Sequence, residues 1–180
     1  MKKRIIINFV FLSAIIAAFI SCDKDGSSDS NKLEGKWWKA EKFEARFNGE
    51  IVKTYPTLDK AEWAFDRVIF ENGTVTIEFD GVKESYAYGF HGDELTIWGI
   101  TLDVVKLTNK ELVGDWVFGE EIDEEDISDG RIIGQYRGKD IYRSSDWWLL
   151  WYYDSKGNPV ECYYKDSYYY DTERYYLRAE

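Results

Sequence analysis

Residues Thr74-Val75-Thr76-Ile77-Glu78-Phe79-Asp80 alternate without a fault, with Val75, Ile77 and Phe79 on one side and Thr, Glu and Asp on the other. A period of two held over seven residues is the pattern of a half-buried strand, because successive side chains of a strand point to opposite faces. Asn72-Gly73 stands directly before it and supplies the two positive-φ residues that a two-residue hairpin wants. A strand over about 66–71 therefore pairs back on it. Tyr86, Tyr88 and Phe90 alternate again, His91-Gly92-Asp93-Glu94 turns the chain, and Leu95-Thr96-Ile97-Trp98 follows. Strands over 100–107 and 112–118 pair across Thr108-Asn109-Lys110, and strands over 147–153 and 160–164 flank a turn-rich loop at 154–159. A last strand runs through Tyr175-Tyr176-Leu177-Arg178. Only 58–65 could make a helix, of two turns at most. Many short strands between regular turn signals predict an all-β antiparallel barrel or sandwich, and closure into a barrel removes the exposed strand edges.

The N-terminal end has a different composition. Lys2, Lys3 and Arg4 precede an apolar run over 5–20 broken only by Asn8 and Ser13. A basic start, an apolar stretch and a small residue before the cut describe a secretory signal. Cys22 directly after Ser21 makes the segment resemble a bacterial lipoprotein signal, with Phe19 at the position that usually carries Leu. The resemblance implies cleavage between Ser21 and Cys22 and acylation of the Cys22 thiol, palmitate being one such chain. An uncleaved spanning helix is the weaker alternative, since the run falls short of about twenty residues and no basic cluster follows Cys22. Several acyl chains on one cysteine make a stable anchor where one chain alone binds marginally. Residues 23–32 hold no apolar side chain and form a flexible tether.

Removal of residues 1–21, which contain three basic and no acidic residues, takes the formal charge from −11 to −14. A polyanion is a poor ligand for a phosphate backbone or an anionic lipid surface, so no nucleic acid is expected as a partner. The charge serves solubility. Cys162 is the one cysteine beside Cys22, so an acylated Cys22 leaves no internal disulfide. Its strand-like surroundings predict a buried, inert thiol. The segment 119–130 holds seven acidic residues and reads as a long loop within one domain rather than as a boundary.

Gly35-Lys36-Trp37 opens the first strand and resembles the Gly-x-Trp of lipocalins. Phe70-Glu71-Asn72-Gly73-Thr74-Val75, Gly92-Asp93-Glu94-Leu95 and the stretch from Val105-Lys106-Leu107 to Glu111-Leu112-Val113 are similar, in that order, to segments of the lipocalin-like domains of Bacteroidota lipoproteins. The acidic residues after Cys22 resemble the export signals of that group's surface lipoproteins. The resemblance covers about 33–118 and the last few residues. It implies a lipocalin-like barrel over 33–180, with 119–146 as acidic loop and insertion. It implies that Trp37 closes the barrel base with Arg178 as its late-strand partner. It also implies an outer-membrane, lipid-anchored location, surface-exposed or facing the periplasm.

No catalytic chemistry is legible. His91 is the single histidine and lies on the polar side of its strand beside a turn, where a surface role outweighs that of a general base. One His and one free Cys at no ligand spacing argue against zinc. Aligning Gly130 with the glycine of an EF-hand loop puts Ile127 at a ligand position, so that motif fails, and a solvated acidic loop outweighs calcium binding by scattered carboxylates. The expectation is a non-enzyme without metal or cofactor.

Aromatic residues make up 18% of the chain, and twelve of them fall between Trp147 and Tyr176. In the strand over 147–153 both faces are aromatic or aliphatic. Either the 119–146 segment covers the outer face, or that face is a contact platform. The longer set, Trp147, Leu149, Trp151 and Tyr153, is assigned outward, with Trp147, Trp151 and Tyr153 as ligand or partner contacts. Two functions follow. One is a barrel that holds a small apolar or amphipathic ligand. The other is a structural or interaction lipoprotein with a barrel filled by its own side chains, touching a partner protein or surface glycan through the aromatic strand.

Overall fold

The computed structural model describes residues 30–118, 122, 124–145 and 149–180. Ser21, Cys22 and Trp147 therefore lie outside the described residues. The chain forms the expected all-β, lipocalin-like antiparallel barrel, closed by eight strands. The barrel strands are β1 (Trp37–Phe47), β3 (Arg67–Glu71), β4 (Thr74–Phe79), β5 (Val82–His91), β6 (Glu94–Ile97), β7 (Ile100–Leu107), β8 (Glu111–Val117) and β14 (Thr172–Ala179). Each pairs with the next, and β14 pairs back on β1 to close the ring. β2 (Glu50–Tyr55) lies beside the second half of β1, while β3 pairs with the first half, Trp38 opposite Val68.

The turns are those the residues demand. Asn72 and Gly73 carry φ of 51° and 75°, as a two-residue hairpin turn of this hand requires. The 58–65 stretch makes turns and bends and no helix. Two strands in the first third of the chain, the long β1 and β2, have no clean alternation. A register shift between Ala40 and Lys42 explains this in β1: Trp38 is buried before it, and Phe43, Ala45 and Phe47 after it. The bulge changes which parity faces inward.

Between β8 and β14 the chain builds a five-stranded antiparallel sheet of β9 (Arg131–Tyr136), β10 (Lys139–Arg143), β11 (Leu150–Tyr153), β12 (Pro159–Lys165) and β13 (Tyr168–Tyr170). A short helix, α2 (Glu124–Asp129), occupies part of the acidic segment that the sequence suggested as loop. This sheet shares a small core with the barrel: Phe47 reaches from β1 to Tyr136 and Tyr152, with ring centroids 5.1 and 4.5 Å away.

The base of the barrel differs from the lipocalin expectation. Trp38, fully buried, is the tryptophan that closes it, with its Nε1 donating to the carbonyl of Leu33 at 2.7 Å. Leu33, in the turn α1 (Ser30–Leu33), is itself fully buried below it. Trp37 points outward and is half-buried beneath the Arg67 guanidinium, 4.4 Å from its ring centroid, and the Lys83 ammonium at 5.2 Å. Arg178 is exposed and pairs with Glu41 at 2.9 Å, and the cation over Trp38 is Lys36. Adjacent residues on a strand face opposite ways, so only one of two neighbouring tryptophans can enter the core. The carbonyl of Leu33 selects Trp38.

Trp38→Ala should therefore cost about 3–5 kcal/mol, the loss of a fully buried large aromatic. Trp37→Ala should cost about 1–2 kcal/mol, since half the ring stays in water and the cations above it add little. Urea melts of the two variants, run side by side, read this difference directly. Equal losses would mean that both rings serve the base.

Candidate functional site

Strand direction sets the two ends of the barrel apart. The N-terminal turn α1, the β3–β4 hairpin and the β7–β8 turn gather at the base, where Lys36 Nζ donates to the Asn109 carbonyl at 3.2 Å. The opposite end carries the β4–β5 tip at Asp80-Gly81, the β6–β7 tip at Trp98-Gly99 and the connection 56–66, which arches across as a strap.

The interior is filled from the base upward. Phe65, Val68, Phe70, Leu95, Leu102, Leu112, Tyr175 and Leu177 are all buried, and the void left among them is only about 20 Å3. Packing stops short of the mouth. There a cavity of about 710 Å3 opens, with Trp63 and Ile97 shared between its floor and the filled interior. That volume lies within the range of small-molecule sites. A hollow of similar size, about 720 Å3, lies at the base between the β7–β8 turn and Arg178, but it is a furrow in a polar surface.

The wall of the mouth follows from alternation. β4 sends Ile77 and Phe79 inward, and β5 answers with Val82 opposite Phe79, Glu84 opposite Ile77 and Tyr86 opposite Val75. β6 and β7 add Ile97, Trp98 and Ile100. Phe79 is 47% exposed, Val82 62% and Trp98 66%, so three large apolar side chains of the two hairpins stand in water around one opening. The Trp98 ring stacks on Tyr86 at 5.3 Å and 28°. The Tyr86 hydroxyl donates to Glu84, and that bond, with desolvation second, raises the Tyr86 pKa.

Trp98 also sits at φ 50°, ahead of Gly99 at 84°. These are the angles of a hairpin turn that Asn-Gly makes without strain, as Asn72-Gly73 does. A bulky residue with positive φ is uncommon and costs on the order of 1 kcal/mol. The Trp98 side chain stays exposed in this turn, with Tyr86 as its ring contact.

The strap is held from below. Glu173 on β14 is 1% exposed and accepts from the Glu62 amide at 3.1 Å and from the Tyr175 hydroxyl. Tyr175 in turn accepts from the Trp63 amide at 3.4 Å. From the side, Lys165 pairs with Glu62 at 3.1 Å and the Tyr170 hydroxyl donates to the same carboxylate at 3.1 Å. Together these bonds fix Trp63, which forms the strap side of the cavity. Burial pushes the Glu173 carboxyl up to about 7, against the lowering effect of its hydrogen bonds and of Lys165.

The residues assigned to contact in the β11 strand do not form a surface. Trp151 is fully buried, stacked on Tyr142 at 5.7 Å, and a Cβ at Gly130 would run into its indole. Tyr152 is buried on the other face, donating to Asp171 at 2.8 Å. Tyr153 is half-buried, edge-on to Tyr142 at 5.3 Å. The chain around α2 and β10 covers the outer face, so Trp151 is core and the contact assignment is corrected. His91 is exposed at the end of β5, away from the mouth. Cys162 is buried and its thiol is pushed well above the ordinary range by desolvation. Among the described residues no group of three or more His, Cys, Asp and Glu side chains is arranged to hold a metal.

No family model, no curated protein and no solved structure matches this chain.

Glu173→Gln tests the strap anchor through pH. The unfolded carboxyl ionises near the ordinary value of 4.5 and the folded one at about 7, so the native state holds the proton over that interval. Stability contributed by Glu173 is then greatest below 4.5, falls as pH rises to about 7 and levels above it. The unfolding free energy of wild type minus that of Glu173→Gln should decline by on the order of 2–3 kcal/mol across this window. A difference that stays flat in urea melts from pH 4 to 8 would mean that Glu173 is solvated.

Proposed function

We propose that this protein is a membrane-anchored lipoprotein with a non-catalytic barrel that binds a small apolar or amphipathic ligand at its open mouth. The observation that carries the reading is the 710 Å3 cavity ringed by exposed Phe79, Val82 and Trp98, with Trp98 held in a strained turn. An apolar hollow with few convergent polar groups is the ordinary form of a small-molecule site. The filled lower barrel limits the ligand to the mouth. A partner- or glycan-contacting aromatic strand is the weaker reading, because Trp151 and Tyr152 are spent on the core.

The N-terminal turn α1 and the site stand at opposite ends of the barrel. Residues 30–33 enter at the base, so a chain tethered through Cys22 has its base toward the bilayer and its mouth away from it. Ligand then reaches the mouth from the aqueous side of an outer membrane.

Two experiments test this function. Trp98→Asn removes the ring and supplies the residue that the turn prefers, so the melting temperature should hold or rise. Binding of the neutral probe N-phenyl-1-naphthylamine should weaken about tenfold, the order of one aromatic anchor. Wild-type probe affinity in Trp98→Asn would remove the mouth as the site. For the anchor, Cys22→Ala should leave unprocessed precursor and abolish incorporation of labelled palmitate in cells. Labelling at the wild-type level would refute lipidation at Cys22.

A further inference from the structure

Resting on the mouth-binding reading above, we infer that the cavity selects amphiphiles with a cationic head and rejects those with an anionic one. The charged groups at its wall are all of one sign. Glu84 points inward from β5 where alternation puts an otherwise apolar series, and Asp80 stands at the rim, while no Lys or Arg lines the cavity among the described residues. Two basic residues of the adjoining strands, Lys83 and Arg67, are committed to the outer wall, and Lys60 of the strap lies over the Tyr55 ring. Lys83 pairs with Glu78 at 3.5 Å and lies over Trp37, and Arg67 donates to the same Glu78 at 3.1 Å.

An inward carboxylate in a ring of Phe, Val and Trp side chains gives nothing to packing. It has a use where an ammonium or guanidinium group is delivered to it. The geometry around it suits such a head: the stacked Tyr86 and Trp98 rings stand beside Glu84, and the Tyr86 hydroxyl holds that carboxylate at their edge. A cation between ring faces and a carboxylate gains from both, each by an amount modest for an exposed site. The apolar tail then lies on Ile77, Ile97 and Trp63, whose faces form the floor. A carboxylate head in the same place would meet Glu84 and Asp80 with no base to pair it.

Three ten-carbon probes below their micelle concentrations separate the outcomes: decyltrimethylammonium, decyl glucoside and decanoate, each titrated calorimetrically at 150 mM salt. Wild type should bind the cation about tenfold tighter than the neutral chain, with decanoate weakest. Glu84→Gln should bring the cation down to the affinity of the neutral probe and improve decanoate. Glu71→Gln, an exposed carboxylate at the far end of the barrel, serves as control for overall negative charge and should leave all three unchanged. Three equal affinities, or a preference that Glu84→Gln leaves intact or Glu71→Gln removes, would overturn the charge selection and leave the mouth as a binding site. No binding of any probe would instead overturn the ligand-binding reading itself.

Discussion

The barrel exists because eight residues near the end of the chain, Thr172–Ala179, pair on both of their edges at once. Phe43 and Ala45 of β1 lie opposite Tyr175 and Glu173, and Gly114 and Asp115 of β8 lie opposite Tyr175 and Arg174. Without β14 the sheet would end in two open edges, each a template for pairing with other chains. The outer face of the closing strand is fastened by Arg174, whose guanidinium forks onto Asp115 at 2.5 and 2.6 Å. Its inner face brings Glu173, Tyr175 and Leu177 into the core, so the same strand that closes the wall also holds the strap. The site at the mouth is a consequence of that closure.

A long excursion between β8 and β14 is tolerated for a local reason. The two ends of the excursion lie side by side, with the Phe118 amide donating to the Asp171 carbonyl at 2.8 Å. Seen from the barrel, residues 118–171 replace a hairpin turn, and the entropic cost of a longer connection grows only slowly with its length. Asp171 then joins the two sheets. Its carboxylate is 4% exposed and accepts from the Asn48 amide at 2.6 Å, the Tyr152 hydroxyl at 2.8 Å and the Thr172 hydroxyl at 2.7 Å. Three donors compensate a charge that would otherwise be costly to bury.

The two ends of the barrel show opposite compromises. At the base Trp38, Phe70, Val75, Leu95 and Leu112 are used for packing, down to the indole hydrogen bond of Trp38. At the mouth, stability is given up in two places: a tryptophan sits where asparagine would be unstrained, and an acid is aimed into an apolar opening. Local choices that disagree with the global fold tend to mark function. In the chain they are Trp98, preceding Gly99 in a turn, and Glu84, two residues before Tyr86 on the same face. From the sequence Trp98 reads as the last residue of a strand, and Glu84 precedes the alternation of Tyr86, Tyr88 and Phe90. Neither could be weighed until the opening around them was known.

The chain alone determined the strands from β3 to β8, because alternation with a period of two and turns such as Asn72-Gly73 are local signals that burial on one side enforces. For β11 it left two outcomes, a covered outer face or a contact platform, and burial of Trp151 and Tyr152 decided for cover. What tertiary structure decided were the choices between near-equal neighbours. Trp37 and Trp38 are indistinguishable by composition, and the carbonyl of Leu33 picks the second. Trp151 is outward by count of aromatics, yet Gly130 and Tyr142 enclose it. Arg178 is near enough in sequence pattern to cap the base, but strand register places it on the outside with Glu41. Each of these depends on which distant segment arrives at a given face, and that is settled by packing between residues far apart in the chain rather than by periodicity within it.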